Sequence, residues 1–337
     1  MKSKTSIVKQ DERRDRLLRW LHSNTRHNGI WCLSEHKPYA HDENGYDRQY
    51  GIQPGDLKMG AGLVNLLKAR DADFSLPALE VGCGTGALSL GLVATGDYPL
   101  ILLTDPSAQF LDLLRLKLSA QGMLKEKVQL AVMKGDDLDL LPQQSLSLIA
   151  MHSALHHILD YRRFIETSAE KLARGGFLVF EEPCMEGYVL MSVLAQFLPA
   201  ILDRDGIELN RQQLDQIDLL IRSTQFYSRR DIDKSQAEDK HLFRTEELMA
   251  VCHANGLDFC AFPNTSLSSC DDDGQCCNAD FSFHKYFIGY LRFCMAFEDK
   301  LTDLFDRHLE PFTRIIDSMS PEKNFPHCCN VFVARKR

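Results

Sequence analysis

The sequence predicts a doubly wound α/β fold on a mostly parallel sheet, interrupted by helical cap insertions. Between residues 75 and 183, short apolar runs alternate five times with segments of helical periodicity. Continuous apolar runs such as 100–103 are typical of strands buried on both faces. The first run enters a turn with Gly82, Gly84 and Gly86 at alternate positions, which suits a sharp strand-to-helix connection with bare backbone.

The N-terminal part predicts a helix followed by an irregular stretch. Leu17, Leu18 and Leu21 have the spacing of an amphipathic helix within residues 1–28. Residues 28–55 are rich in Gly, Pro, His and Tyr. This stretch is either an ordered loop or an arm that folds over a pocket and places Tyr46, Arg48 or Tyr50 on a ligand.

Hydrophobic periodicity places the remaining elements. In the core we predict helices at 56–70, 87–95, 107–121 and 161–172, and strands at 78–81, 99–105, 128–133, 145–151 and 177–180. Later segments add helices at 189–202, 211–221, 245–255 and 281–319, the last one bent at Pro311, and strands at 257–262 and 330–334.

These elements divide the chain into six segments. They are an N-terminal helix and arm (1–55), a core (56–183), a helical cap insertion (184–240), a core continuation (241–263), a second helical insertion (264–325) and a terminal core strand (326–337).

Composition excludes several classes of protein. The net charge of −8 and pI near 5.8 argue against a duplex nucleic-acid binder. Four arginines cluster near the N-terminus (Arg13, Arg14, Arg16 and Arg19), but a solvated helix face explains them more simply than a nucleic-acid site does. We find no secretory signal pattern and no run of about 18 uncharged apolar residues. We therefore expect a cytoplasmic protein without membrane insertion, and reduced thiols for its eleven cysteines.

Ligands of open parallel sheets bind at the carboxyl ends of the strands, where polar residues gather here. Asp105 follows Gly86 by 19 residues, a distance suited to an acid that binds ribose hydroxyls, or it caps the next helix. Asp136 could accept from an adenine amine, or serve as a turn residue. Glu80 precedes the glycine turn, where a carboxylate suits an ammonium group better than a pyrophosphate.

The glycine turn alone leaves two cofactor classes open. Gly82-x-Gly84-x-x-Ala87 with an acid about 20 residues on also fits the dinucleotide fingerprint of NAD(P)-dependent oxidoreductases. Glu80 and Asp136 favour a cofactor with an amino-acid tail and without phosphates.

Glu80-x-Gly82-x-Gly84-x-Gly86, Asp105, Gly135-Asp136 and Leu155-His156-His157 resemble the class I S-adenosylmethionine-dependent methyltransferases, over roughly residues 75–183. The resemblance implies S-adenosyl-L-methionine as cofactor and a Rossmann-like seven-stranded sheet whose last strand is antiparallel. It implies that Glu80 and the glycines hold the methionine end, Asp105 the ribose and Asp136 the adenine. Ser147 replaces an Asp that is usual in the family, a position not needed for cofactor chemistry. The predicted cofactor set is Glu80, Gly82, Cys83, Gly84, Gly86, Asp105, Pro106, Asp136, Asp137, Met151, Tyr46 and Tyr50.

Methyl transfer needs alignment and, for some oxygen or nitrogen acceptors, a general base. His152 follows the fourth core strand and is a candidate base, or a packing residue; Glu182 is a candidate acceptor contact. Adjacent His156 and His157 are more simply packing residues at a helix start.

The cysteines offer a further hypothesis, a zinc site, since Cys270, Cys276, Cys277, Cys328 and Cys329 could gather if their segments met. Their spacing is not that of a zinc knuckle, so we predict no metal.

We therefore predict a methyltransferase that acts on an oxygen or nitrogen of a small or medium organic acceptor enclosed under the cap. The alternatives are an NAD(P)-dependent oxidoreductase and a non-catalytic methyltransferase-like binding module. A homodimer is a further expectation.

Overall fold

A computed structural model describes residues 4–37, 43–51 and 57–337 of the protein. Its strands are β1 (Thr25–His27), β2 (Ile30–Cys32), β3 (Ala78–Val81), β4 (Ile101–Asp105), β5 (Val128–Val132), β6 (Leu146–His152), β7 (Leu172–Pro183), β8 (Leu257–Pro263) and β9 (Cys329–Lys336). Its α-helices are α1 (Lys4–His22), α2 (Glu43–Tyr50), α3 (Lys58–Lys68), α4 (Ser89–Thr95), α5 (Ala108–Ala120), α6 (Tyr161–Lys171), α7 (Met185–Arg204), α8 (Arg211–Ser228), α9 (Thr245–Ala254), α10 (Phe283–Phe293) and α11 (Asp299–Met319).

The strands form one mixed sheet in the order β1-β2-β5-β4-β3-β6-β7-β9-β8. Six neighbouring strands, from β2 to β7, run parallel, and β9 is antiparallel to both β7 and β8. The doubly wound fold and its antiparallel last strand are thereby confirmed. From β3 the chain builds the sheet first toward β5 and then toward β7, so the strand order reverses beside the carboxyl end of β3.

The sheet of the described residues has nine strands, so the expected number of seven was wrong. Of the additional strands, β1 lies at the end of the segment 1–28 that was expected to be helical, and β2 lies in the stretch 28–55 that was expected to be irregular. β2 pairs in parallel with β5, and Trp31 in it is buried and donates its indole N–H to Gln129 Oε1 at 2.8 Å. A three-residue strand is too short to show a periodicity in the sequence, but it covers the edge that β5 would otherwise expose.

Several other elements also differ from the prediction. Residues 43–50 form helix α2 and not a loop, and β7 starts at Leu172, directly after α6, with Gly175 at φ +79° inside the strand. The helix expected over 281–319 is broken between α10 and α11, upstream of Pro311, which lies within α11.

Helices cover both faces of the sheet. Leu17 and Leu21 of α1 join α6 and α9 in one apolar core, which also contains Met151 of β6. On the opposite face α3, α4 and α5 pack through residues such as Leu63 and Leu114. The predicted parallel strands are therefore buried from two sides, as their continuous apolar sequences indicated.

The two insertions share one apolar core. Helices α7 and α8 from the first insertion pack with α10 and α11 from the second around Phe287, Phe305 and Leu198. Helix α7 begins two residues after β7 ends, so this helical layer is attached at the carboxyl end of a core strand. We call these four helices the cap.

One helix of the described residues, α7, is long and apolar enough by length and composition to cross a membrane. The expectation that no run approaches that length was therefore wrong. Buried core helices of water-soluble proteins meet the same criterion, and Met191, Ala195, Leu198 and Leu202 of α7 are buried in the cap.

Not all thiols are reduced, contrary to the expectation. Cys270 and Cys276 form a disulfide, because the turn between them brings their Cα atoms to 4.0 Å. The zinc hypothesis for the cysteines thereby loses two thiolates. Of the other three, Cys277 is exposed, Cys328 is buried, and Cys329 is half-buried at the start of β9.

Candidate active site

The glycine turn after β3 is held by contacts that only glycine permits. Gly82, Gly84 and Gly86 have φ values of +70°, +51° and +109°. A Cβ on Gly82 would lie 2.6 Å from Ala154 Cβ, and one on Gly86 would lie 2.7 Å from Leu114 Cδ1. A Cβ on Gly84 would meet no atom within 4 Å. The outer two glycines thus allow close packing, and the middle one leaves bare backbone beside a cleft.

That cleft has a volume of about 250 Å³ and lies at the carboxyl ends of β3, β4 and β6. Its walls combine the glycine turn with residues from α2, α5 and two loops. The lining residues are Tyr46, Glu80, Gly82, Cys83, Gly84, Thr85, Ala87, Leu88, Asp105, Phe110, His152, Ser153, His157 and Glu238.

Glu80 is the most deeply buried acid of the cleft lining. It is 1% exposed and accepts a hydrogen bond from Ser89 Oγ at 2.8 Å. Burial raises the pKa of Glu80 to about 8, against the opposing effect of the Ser89 hydrogen bond. A buried acid of this kind gains most from a ligand that brings a positive charge, because the cation stabilises the ionised form.

Asp105 ends β4 and links it to the glycine turn. Its Oδ2 accepts from the Gly84 backbone N–H at 2.9 Å, and its Oδ1 from the Ser107 N–H at 2.8 Å. Burial raises the pKa of Asp105 to about 6, although both hydrogen bonds favour the carboxylate. The N-cap of α5 is Ser107, whose Oγ accepts a hydrogen bond from the Phe110 N–H. Asp105 is therefore not the cap of this helix, which was the alternative role considered for it.

His152 lies in the cleft beside a carboxylate that the sequence analysis missed. Its Nε2 is 3.9 Å from Glu181 Oε1, and its side chain is 25% exposed. Glu181 is itself buried and oriented by the Leu267 N–H, which donates to Oε2 at 2.9 Å. Neighbouring residues of a strand point to opposite faces, so Glu181 rather than Glu182 reaches this histidine.

Glu182 points to the opposite side of β7 and is not a cleft residue. Its Oε1 accepts from the Ala154 and Leu155 N–H groups at 2.8 and 2.6 Å, and its Oε2 lies 2.6 Å from His156 Nδ1. It is fully buried. The structure therefore places Glu182 as a support for the loop after β6, not next to an acceptor.

His156 and His157 sit beside this carboxylate and beside Asp239. Burial alone would lower the pKa of His156, but the carboxylates of Glu182 and Asp239 raise it to about 10. Desolvation and the positive charge of His156 lower the pKa of His157. His157 and Glu238 reach the cleft wall.

Besides Glu182, the structure leaves five of the predicted cofactor-binding residues outside the cleft lining. Met151 is buried in the core, and Asp136 is exposed at the start of a 3₁₀ turn (Gly135–Leu140) after β5. Gly86, Pro106 and Asp137 also do not line the cleft. Tyr46 does, with its ring centroid 4.9 Å from that of Phe110, whereas the side chain of Tyr50 lies outside the described residues.

Sequence reasoning missed several lining residues. Phe110 had the spacing of a core helix residue, and Ser153, His157 and Glu238 come from loops. A signal was available for Ser153 and His157, which follow a predicted strand end. Glu238 lies in a charged loop of the first insertion and has no such signal.

A doubly wound sheet with an acidic, glycine-bordered cleft at its strand-order reversal defines a Rossmann-like ligand-binding domain. Residues 79–178 match the family model described as "Methyltransferase domain". The match confirms the resemblance to the class I methyltransferases over this stretch of the chain.

Individual known proteins resemble the chain at sequence identities of 12 to 30%. The chain is 30% identical over 135 residues to a malonyl-[acyl-carrier protein] O-methyltransferase of Haemophilus ducreyi, a match that covers 40% of this chain and 50% of that protein. The chain thus spans about half the length of this curated relative. The structure of phosphoethanolamine N-methyltransferase 2 from Haemonchus contortus in complex with phosphomonomethylethanolamine and S-adenosylhomocysteine has a TM-score of 0.48 at 13% identity, with 87% of this chain and 56% of that chain covered. A putative methyltransferase of Bacillus halodurans has a TM-score of 0.46 at 12% identity, with 81% and 98% covered.

Proposed function

We propose that the protein is an S-adenosylmethionine-dependent methyltransferase that methylates an oxygen or nitrogen of a small or medium organic acceptor. The observation that carries this proposal is that Glu80 and Asp105 line one cleft together with the bare backbone of Gly84, whose N–H donates to Asp105. The matched methyltransferase-family domain contains all three residues.

The charge of the cleft favours a cationic cofactor over a dinucleotide. Among the described residues, the cleft lining includes Glu80, Asp105 and Glu238 and contains no Lys or Arg. Two N–H groups of the glycine turn are already used, since Gly84 donates to Asp105 and Gly86 donates to the Cys83 carbonyl at 3.0 Å. A pyrophosphate would need such donors free, whereas a sulfonium and an ammonium group gain from the acids.

Different residues of the cleft would bind different parts of the cofactor. In our proposal Glu80 accepts from the ammonium group of the methionine tail and Asp105 accepts from the ribose hydroxyls. Tyr46 and Phe110 provide aromatic surface at the same cleft. We retain the adenine role of Asp136 as a prediction, since this exposed acid follows the neighbouring strand β5.

His152 is our candidate general base. S-adenosylmethionine, when bound, supplies a methyl group bonded to a positively charged sulfur, which a nucleophile displaces in line. His152 would accept the proton that an O–H or N–H acceptor loses as its new bond to carbon forms. Glu181, 3.9 Å from His152, would stabilise the resulting imidazolium.

Two observations support the proposed acceptor chemistry. The name of the Haemophilus ducreyi relative supports oxygen as the methylated atom. The cap at the carboxyl end of β7 is the structural support for an enclosed organic acceptor. The cytoplasmic location and the homodimer stay predictions.

Calorimetric titration of the full chain with S-adenosylhomocysteine and with NADH tests the cofactor assignment. We expect binding of S-adenosylhomocysteine only, with a large loss of affinity in Asp105→Asn. Asp218→Asn, an exposed acid on α8 paired with Arg222, is the matched control and should bind as the wild type does. Tight binding of NADH without binding of S-adenosylhomocysteine would refute the proposal.

A further inference from the structure

A cluster of metal-ligating side chains lies on the wall of the cleft, in a part of the site that the proposed methyl transfer does not use. His156 Nε2 is 3.5 Å from Asp239 Oδ1, and His157 Nδ1 is 3.2 Å from the same oxygen. One ligand atom of each of the three residues lies within 4.8 Å of the other two. Donor atoms that bind one ion at about 2.0–2.2 Å in a tetrahedral arrangement are about 3.3–3.6 Å apart. The 3.5 Å distance to Asp239 lies in that range, and the 3.2 Å distance is close to its lower end.

A second carboxylate orients the first imidazole. Glu182 Oε2 lies 2.6 Å from His156 Nδ1, and Glu182 is fixed by the Ala154 and Leu155 N–H groups. A proton on Nδ1 that is donated to Glu182 leaves Nε2 directed toward Asp239. Metal-binding histidines are held in this way by a carboxylate on their other nitrogen.

A further possible metal ligand lies beside the cluster, and the cluster is accessible from the cleft. The Glu238 carbonyl oxygen is 3.1 Å from His157 Nδ1. The side chains of His157 and Asp239 are 41% and 44% exposed, and His157 and Glu238 line the cleft. An ion bound here would therefore be reachable from the cleft by water or by a ligand.

We propose that His156, His157 and Asp239 form a binding site for one divalent first-row transition metal ion of the Zn²⁺ type. Two imidazoles and one carboxylate are the donor set that suits Zn²⁺ and Co²⁺, whereas Mg²⁺ and Ca²⁺ prefer oxygen ligands. This site is distinct from the cysteine group considered in the sequence analysis. Because His157 also lines the cleft, a metal ion bound here would give the cleft wall a Lewis acid, independent of the identity of the cofactor.

Metal titration of the full chain, dialysed against a chelator, tests the site. We expect Zn²⁺ to bind with one ion per chain in calorimetry, and Co²⁺ at the same stoichiometry to give a visible absorption band. His157→Gln and Asp239→Asn should each weaken Zn²⁺ binding by about 10-fold or more. Both side chains are partly exposed, so these variants are expected to fold.

His284→Gln is the matched control, because His284 Nε2 also lies 2.8 Å from a carboxylate, that of Asp306 in the cap, but outside this cluster. It should bind Zn²⁺ as the wild type does. Two results would overturn the proposal: a wild type that binds no Zn²⁺, or a Zn²⁺ affinity that neither His157→Gln nor Asp239→Asn changes. Either result would mean that the cluster is an ion pair between protonated His156 and the carboxylates of Glu182 and Asp239, and not a metal site.

Discussion

The buried acid Glu80 makes the stability of the unliganded protein depend on pH in a defined direction. Burial raises the pKa of Glu80 from 4.5 to about 8, so the unfolded chain loses this proton at lower pH than the native state does. Native stability therefore falls as the pH rises from about 4.5 to about 8, because the native state must either keep a proton or bury a charge. Substitution Glu80→Gln removes this titration and keeps the shape of the side chain.

The size of the effect follows from the shift. One pKa unit corresponds to about 1.36 kcal/mol, so between about pH 5 and pH 8 the wild type should lose about 3 kcal/mol relative to Glu80→Gln. Urea unfolding of both proteins at the two pH values measures this difference, and all groups that titrate equally in both proteins cancel. Glu166→Gln, a surface acid paired with Arg163, is the control and should show no such trend.

The same titration predicts proton release on ligand binding. At pH 7 an acid with a pKa of about 8 is about 90% protonated, and an ammonium group bound to it favours the carboxylate. S-adenosylhomocysteine binding should then release close to one proton in the wild type and none from this position in Glu80→Gln. Calorimetry in buffers of different ionisation enthalpy counts the protons. A stability difference that is the same at both pH values would refute the reasoning about Glu80, whatever the ligand.

Three further outcomes follow from the site. Asp105→Asn should weaken S-adenosylhomocysteine binding by about 10- to 100-fold, since hydrogen bonds to charged groups contribute about 1.5–3 kcal/mol. For the wild type, the affinity measured by calorimetry should decrease when the pH is lowered below about 6, because Asp105 becomes protonated. Gly82→Ala should unfold at lower urea concentration than Gly122→Ala, which shares a positive φ but has no atom within 4 Å of its added Cβ; equal midpoints would contradict the packing argument. Glu182→Ala should lower the free energy of unfolding by at least about 2 kcal/mol, because two backbone N–H groups lose their acceptor, and an unchanged urea midpoint would rule out that structural role.

Much of the fold could be predicted because its strands are buried on both faces. Runs such as 100–103 and 148–151 are continuously apolar, and the helices between the strands show clear periodicity. Strand β2 could not be predicted, because three residues show no periodicity and the residues of β5 that pair with it are 100 positions away in sequence. Its formation depends on the tertiary pairing, not on local preference.

The site residues could be predicted where the glycine turn and the acidic residues lie at predicted strand ends. Glu80, Gly84 and Asp105 follow from a turn at a strand end, which is a local signal. The choice between Glu181 and Glu182 could not be made, because both are buried and the sequence does not show which face of β7 is directed to the cleft. Asp239 meets His156 from a loop more than 80 residues away, and only the folded chain brings the two together.

The position of β9 in the sheet has a consequence for the order of folding. β9 lies between β7 and β8, yet it follows both in the chain. While a ribosome is still translating residues before 329, β8 has no β9 to pair with, and β7 has an open edge on that side. Such an edge is prone to pairing with other chains. During synthesis this half of the sheet therefore depends on the rapid arrival of a single eight-residue strand.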